Sequence, residues 1–276
     1  MLRQRVITAV VLLAVLLAAA AAGRCVLDAV LALLVGAAAF EWLRLAQHSA
    51  ALSIAAGVAF AAVLFAIETF AAWPPDVALT LLASASALWL LIAAIVLRGS
   101  HRGAQLAHPF STLLAFLLLA AAWVALMQLI GSGFVYLLSV LVIVWLADIA
   151  AYFSGRKWGR RKLAPAISPG KTWAGVGGAV AAVLAAALLM ARFAPELPVF
   201  STLLQRRLPV AAALAVLAGL VALSIVGDLF ESLLKRQVNA KDSSRLLPGH
   251  GGVLDRVDAL IAVLPAVALL DLYLRG

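Results

Sequence analysis

The chain has 276 residues, 66% of them hydrophobic and only 12% charged, with 21 Lys and Arg against 12 Asp and Glu. A soluble domain carries about twice that share of charge, so the composition excludes an ordinary soluble protein and points to a polytopic membrane protein. The net charge of +9 does not indicate nucleic acid, because the cations fall in short loops between apolar runs with no aromatic-interleaved basic domain, and the lone Cys25 supports neither an intramolecular disulfide nor a zinc cluster.

A helix needs about 17 to 25 apolar residues to cross a bilayer. On that scale nine helices are predicted: Val6–Ala22, Val26–Phe40, Leu52–Ala72, Val77–Leu97, Phe110–Ile130, Phe134–Phe153, Ala174–Phe193, Pro209–Val226 and Val257–Leu274. A signal peptide is the competing reading for the first, since Arg3 and Arg5 precede it. The next apolar run starts at once, which favours a retained span. Only Gly23, Arg24 and Cys25 separate the first two, so a tight hairpin and a single long or re-entrant segment are both open.

Cytoplasmic loops carry an excess of Lys and Arg. With the N-terminus inside, only Arg24, Arg192, Arg206, Arg207 and Arg275 fall on the far side, and the other sixteen cations lie on the near one. The expected topology is therefore N-terminus cytoplasmic and C-terminus opposite, with both large polar loops, 154–173 and 227–256, on the cytoplasmic side. Residues 1–133 read as a transmembrane scaffold and 134–276 as the catalytic region. The far-side connections around Trp73-Pro-Pro-Asp76 and Gly131-Ser-Gly133 are turn-like.

Ionisable residues are sparse in the first five spans. Glu41, beside Trp42 and Arg44, is expected to be a solvated interfacial charge, and Glu68 likewise. Trp73, Trp89, Trp123 and Trp145 are expected to pack or to lie at the interface. The sixth span ends in WLADIAAYFSGRKWG, where Asp148 either meets a cation or metal from another helix or pairs locally with Arg156 or Lys157. The loop beyond it places six cations within sixteen residues, from Arg156 to Lys171. Its Gly170-Lys171-Thr172 triplet is not a P-loop, because Pro165 stands where the first glycine is needed and no strand pattern precedes it. Gly175, Gly177 and Gly178 are expected to permit close helix packing.

The stretch GDLFESLLKRQVNAKDSSRLLPGHGGVLDRVD, residues 227–258, holds five of the twelve acidic residues. Asp228, Glu231, Ser232 and Lys235 recur at i, i+3, i+4 and i+7, so they share one stripe of a helix that continues the eighth span. Lys241-Asp242-Ser243-Ser244 reads as a turn. Pro248-Gly249-His250-Gly251-Gly252 reads as a segment whose glycines let backbone approach a ligand and whose amides suit phosphate. Asp255 and Asp258 share a face at the start of the last helix. Carboxylates interleaved with Lys235, Arg236, Lys241, Arg245 and Arg256 suit a divalent metal and a polyphosphate held side by side.

These residues resemble the signature of the phosphatidate cytidylyltransferase family, including its S-x-x-K-R-x-x-x-x-K-D block and H-G-G-x-x-D-R-x-D ending. The upstream WLADIAAYFSGRKWG and ISPGKTWAG segments are similar to that family too. Gly170 and Ala174 depart from its ISPKKTWEG version, which leaves Lys171 as the better cation there. The resemblance implies an all-α polytopic enzyme of the bacterial inner membrane, its active site facing the cytoplasm, that transfers CMP from CTP to phosphatidic acid with Mg2+ and room for a second cation. It implies metal ligation by Asp228, Asp255 and Asp258, with Asp242 and Asp148 next. Lys235, Arg236, Lys241, Arg256 and Lys171 would hold phosphates, with Ser232, Gly251 and Gly252 beside the nucleotide and His250 as a positioning donor. Its partners would be CTP, phosphatidic acid and membrane lipid, with no nucleic acid and a homodimer as the candidate assembly. A CTP-dependent lipid or polyprenol kinase is the runner-up. A transporter is the third class, disfavoured because the charges gather at one face and no internal repeat is visible.

Overall fold

The computed structural model describes residues 2–97 and 108–275, so Arg98 and Arg102 lie outside the described residues, as do the side chains of Arg3 and Arg5. It is a helical bundle: α1 (Leu2–Ala22), α2 (Arg24–Leu45), α3 (Ala50–Ala66) with a π-helical turn at Ile67–Ala71, α4 (Pro75–Leu97), α5 (His108–Gly131), α6 (Phe134–Trp158), α7 (Trp173–Phe193), α8 (Phe200–Arg207), α9 (Val210–Gln237) and α10 (Leu254–Arg275). Among the described residues eight helices are long and apolar enough to cross a membrane, and α1 adds a shorter apolar run over Ile7–Ala22. These are the nine expected spans. The short α8 lies in the segment between the seventh and eighth.

Polar residues extend two helices past their apolar parts, as expected for α9 and beyond the expected end for α6. α9 runs on to Gln237 and α6 to Trp158, each carrying its charged stripe as helix. α1 and α2 break at Gly23, whose φ of 118° belongs to glycine. Thr8 near the start of α1 donates to the Pro248 carbonyl at 2.7 Å, and Glu41 near the end of α2 binds the start of α10. Both therefore reach the same polar loop, which makes the pair a hairpin.

The loop after α6 holds a small antiparallel hairpin, β1 (Lys162–Ala164) paired with β2 (Ser168–Thr172). No strand was expected here, since strands of three and five residues flanking Pro165 carry too little pattern to read. The Gly170-Lys171-Thr172 triplet lies within β2, and Thr172 caps α7 by accepting the Gly175 amide at 3.1 Å. Of the three glycines opening α7, Gly175 meets the Ala151 carbonyl and Gly178 meets Ser154 across the α6–α7 contact, while Gly177 faces open space.

Two buried features set α10 against the rest. At Gly227 a Cβ would lie 2.5 Å from the Asp258 carbonyl oxygen, so α9 and α10 touch backbone to backbone where both enter the site. Pro265 within α10 has no N–H for the Ile261 carbonyl, and the buried Trp89 Nε1 donates to that oxygen at 3.1 Å. Trp89 and Trp42 also close on Phe230 with ring centroids 5.6 and 5.7 Å apart, an aromatic floor under the polar end of α9.

At the opposite end, Asp271 accepts from the Tyr136 hydroxyl at 2.5 Å and pairs with Arg275 at 2.7 Å. Tyr136 is near the start of α6, so α10 ends on the face away from the polar loops. Arg24 pairs there with Asp28 at 2.7 Å and reaches Glu68 at 3.7 Å. Glu68 is therefore part of an ion-pair cluster and not merely solvated.

Candidate active site

The two polar loops meet around one cavity of about 840 Å³. α6 brings Asp148, Tyr152 and Arg156, the β-hairpin brings Lys162 and Lys171, α9 brings Asp228, Glu231 and Lys235, and α10 brings Asp255, Arg256 and Asp258. Each helix ends its apolar run at this level, so the carboxylates escape hydrocarbon while their backbones stay anchored in it. A second cavity of about 650 Å³ is lined by Gln4, Lys241, Ser244, Arg245, His250 and the Gly249–Gly251 turn. Asp242 and Arg256 line both cavities, so the two share a wall.

The predicted stripe on α9 forms. Asp228 pairs with Lys171 at 2.7 Å and accepts from Ser232 Oγ at 3.4 Å, while Glu231 pairs with Lys235 one turn on. Asp258 accepts its neighbouring Ala259 amide at 2.8 Å and otherwise turns to the cavity. Asp148 also faces the cavity. Its expected local partner Arg156 donates instead to the Tyr152 hydroxyl at 3.2 Å.

Asp255 is engaged differently. Oδ1 takes Lys235 Nζ at 2.6 Å, and Oδ2 takes the Ser243 amide at 2.9 Å and the Gly252 amide at 2.8 Å, with the Ser243 hydroxyl, whose one proton lies between Asp255 and Glu41, 2.9 Å away. Its lone pairs fold the loop onto α10. Arg236 sends Nε toward the Ile167 carbonyl at 3.3 Å and lines neither cavity, so it ties α9 to the β-hairpin. Ser232, whose hydroxyl is spent on Asp228, is not on a cavity wall either.

The glycine turn is held by the Leu247 amide donating to Gly251 O at 2.8 Å and the His250 amide donating to Leu247 O at 2.9 Å. Gly249 and Gly251 have φ of 76° and 84°. The close approaches expected for a ligand are made in part by the chain itself. A Cβ on Gly251 would meet Asp255 Oδ2 at 2.6 Å, and one on Gly252 would overlap Ser243 and Glu41. Gly252 lines neither cavity, whereas Gly251 and His250 line the second.

Sequence reasoning missed Glu41. With 0% of its surface exposed it is not a solvated interfacial charge. It accepts the Val253 and Leu254 amides at 2.9 and 2.7 Å and the Ser243 and Ser244 hydroxyls at 3.0 and 2.6 Å. Those amides stand at the entry to α10, where N–H groups have no partner within the helix. The available signal was a carboxylate in an otherwise apolar, Ala-rich helix end, but no spacing rule links it to a loop some two hundred residues away.

Among the described residues no three carboxylate, imidazole or thiolate groups close on one point as a ready-made metal cage. A hard cation that keeps waters and shares substrate phosphate oxygens needs only one or two protein carboxylates. Asp148, Asp228 and Asp258 supply such oxygens to the lining of this cavity.

The chain matches a family model described as the cytidylyltransferase family over residues 3–274. It is 40% identical to a phosphatidate cytidylyltransferase of Pseudomonas aeruginosa over 293 aligned positions, covering 98% of this chain and 97% of that one. It is similar also to the phosphatidate cytidylyltransferases of Haemophilus influenzae, 43% identical over 58% of this chain and 54% of that one, and of Brucella suis, 49% identical over 51% and 47%. A model matched over nearly the whole length, with the charged cavity built from the matched helices, leaves one assignment: the chain belongs to the cytidylyltransferase family.

Proposed function

We propose that this chain transfers CMP from CTP to phosphatidic acid, forming CDP-diacylglycerol and pyrophosphate, at the cytoplasmic face of a bacterial inner membrane. The observation that carries the reading is the two-part cavity at the ends of apolar helices. One part is acidic and borders the α6–α7 face, where Tyr152 and Phe153 are exposed. The other is cationic and made from soluble loop. A lipid phosphate reaches the first from the bilayer and a water-soluble triphosphate reaches the second.

An oxygen of the phosphatidate phosphate attacks the α-phosphorus of CTP, and the bond from that phosphorus to the oxygen it shares with the β-phosphorus breaks, so that pyrophosphate leaves with that oxygen. The nucleophile is already an anion, so no general base is required. The work of the chain is to gather like charges and neutralise them. Lys171 and Arg156 hold the lipid phosphate beside the acidic wall. Lys241, Arg245, Arg256 and His250 hold the triphosphate. Asp258 and Asp148 would hold Mg2+, joined by Asp228 once a phosphate draws off its partner Lys171, because the oxygens of Asp255 are taken by Lys235 and by backbone amides of Ser243 and Gly252. Magnesium, when bound, supplies neutralisation of the phosphate charge and polarisation of the phosphoryl group.

The relatives' names favour this reading over a CTP-dependent kinase, which would move the γ-phosphoryl group, and over a transporter. In purified protein, pyrophosphate release should match CDP-diacylglycerol formation one for one and stop when phosphatidate is left out. Release of CDP with a phosphorylated lipid would instead identify a kinase.

A further inference from the structure

We propose that Glu41, on α2 and far in sequence from the signature residues, is a positioning residue for the nucleotide: it sets the loop that carries Lys241, Asp242 and Arg245. The inference rests on the cytidylyltransferase reading for the identity of the ligand as CTP.

An ionised carboxylate offers about four acceptor positions, and Glu41 fills them with two backbone amides and two hydroxyls. Oε1 takes Ser244 Oγ at 2.6 Å and the Val253 amide at 2.9 Å; Oε2 takes the Leu254 amide at 2.7 Å and Ser243 Oγ at 3.0 Å. The charge is compensated by the N-terminal end of α10, whose dipole and unpaired amides favour an anion. Ser243 and Ser244 stand directly between Lys241-Asp242 and Arg245. The Ser243 backbone amide donates to Asp255 at 2.9 Å, so Glu41 and Asp255 grip the loop from two sides.

The loop lines the second cavity, with Arg245 and Lys241 exposed to it. Glu41 itself lines neither cavity and touches no substrate. The lipid-side groups Lys171 and Arg156 belong to β2 and α6, whereas the hydrogen bonds of Glu41 go to the 243–244 turn and the start of α10. Loosening Glu41 therefore disturbs one substrate and not the other, a split that a general loss of folding does not produce.

The test is direct CTP titration, with magnesium present and phosphatidate absent, of wild type, Glu41→Gln and Ser244→Ala in lipid nanodiscs, followed by KM for each substrate and the thermal midpoint. Glu41→Gln puts an NH2 against N–H donors, and should raise the CTP Kd and KM by about tenfold or more. Ser244→Ala removes one donor to Glu41, along with the acceptor of the exposed Leu246 amide, and should raise them by about threefold. KM for phosphatidate should stay within about twofold, because the lipid-side groups keep their contacts. Unchanged CTP affinity in both variants, whatever happens to the midpoint, overturns the proposal, as does an equal rise in both KM values. If Glu41→Gln does not fold, Ser244→Ala decides. A wild type that binds CTP but makes no CDP-diacylglycerol refutes the transferase reading and leaves this titration readable.

Discussion

Asp258 and Asp255 lie three residues apart on one face of α10, yet their surroundings assign them different work. Asp258 turns to the cavity with one backbone donor, whereas Asp255 accepts from Lys235, Ser243 and Gly252. Asp258→Asn is therefore expected to lower kcat by about a hundredfold or more with the thermal midpoint nearly unchanged. Asp255→Asn is expected to lower activity and also to destabilise the fold by about 3 kcal/mol, since it leaves Lys235 and buried amides short of an acceptor. Thermal denaturation in detergent beside a turnover assay separates the two. Gly170, which departs from the family pattern, has nothing within 4 Å of an added Cβ, so Gly170→Lys should fold normally and retain turnover. The helical spacing of Asp228, Glu231, Ser232 and Lys235 made their shared face legible in the sequence, because helix geometry is local. Which acids are free for a ligand was not legible, because that depends on where the preceding turn aims its amides. Glu41 was hidden for the same reason: its partners are brought to it by the fold.

At the level of elements, apolar run length gave the spans and helical spacing gave the polar extension of α9, while the extension of α6 and the β-hairpin had to be seen. Periodic patterning reads long helices well and strands of three to five residues poorly. The contact between α9 and α10 is the joint on which the acidic wall depends. Gly227→Ala would press a Cβ to 2.5 Å from the Asp258 carbonyl oxygen, backbone that cannot yield without moving Asp258. The expected cost is about 1–3 kcal/mol of stability together with a fall in turnover. Trp89 and Pro265 form a second coupled pair. Trp89→Phe leaves the Ile261 carbonyl without a donor and should cost about 1–2 kcal/mol. In a Pro265→Ala background residue 265 regains the N–H that Ile261 lacks, so the Trp89→Phe penalty should shrink. A double-mutant cycle on the thermal midpoint measures that coupling.

For the molecule as a whole, the described geometry puts the start of α1, the β-hairpin and the 238–253 loop at one end, and Asp271 with Arg275 at the other. On the orientation proposed from the loop charges, the first end faces the cytoplasm. In a Cys25→Ser background, a cysteine placed at Arg245 should react with a membrane-impermeant maleimide only in inverted vesicles, and one at Arg207 only in right-side-out vesicles. The division of residues into a scaffold, 1–133, and a catalytic region, 134–276, is softened by Glu41, since α2 contributes the carboxylate that holds the loop. A bundle of apolar helices thus presents carboxylates and cations at one membrane face, where a lipid phosphate and a nucleotide triphosphate can be brought together. The most direct measurement of that account is transfer of label from α-32P CTP into lipid by wild type and Asp258→Asn, in nanodiscs containing phosphatidate, before and after chelation of divalent metal. Label should enter CDP-diacylglycerol in wild type, stop on chelation, return with magnesium and be nearly absent in Asp258→Asn. Label that stays in soluble nucleotide while γ-32P CTP labels the lipid, or transfer that survives both chelation and Asp258→Asn, would contradict it.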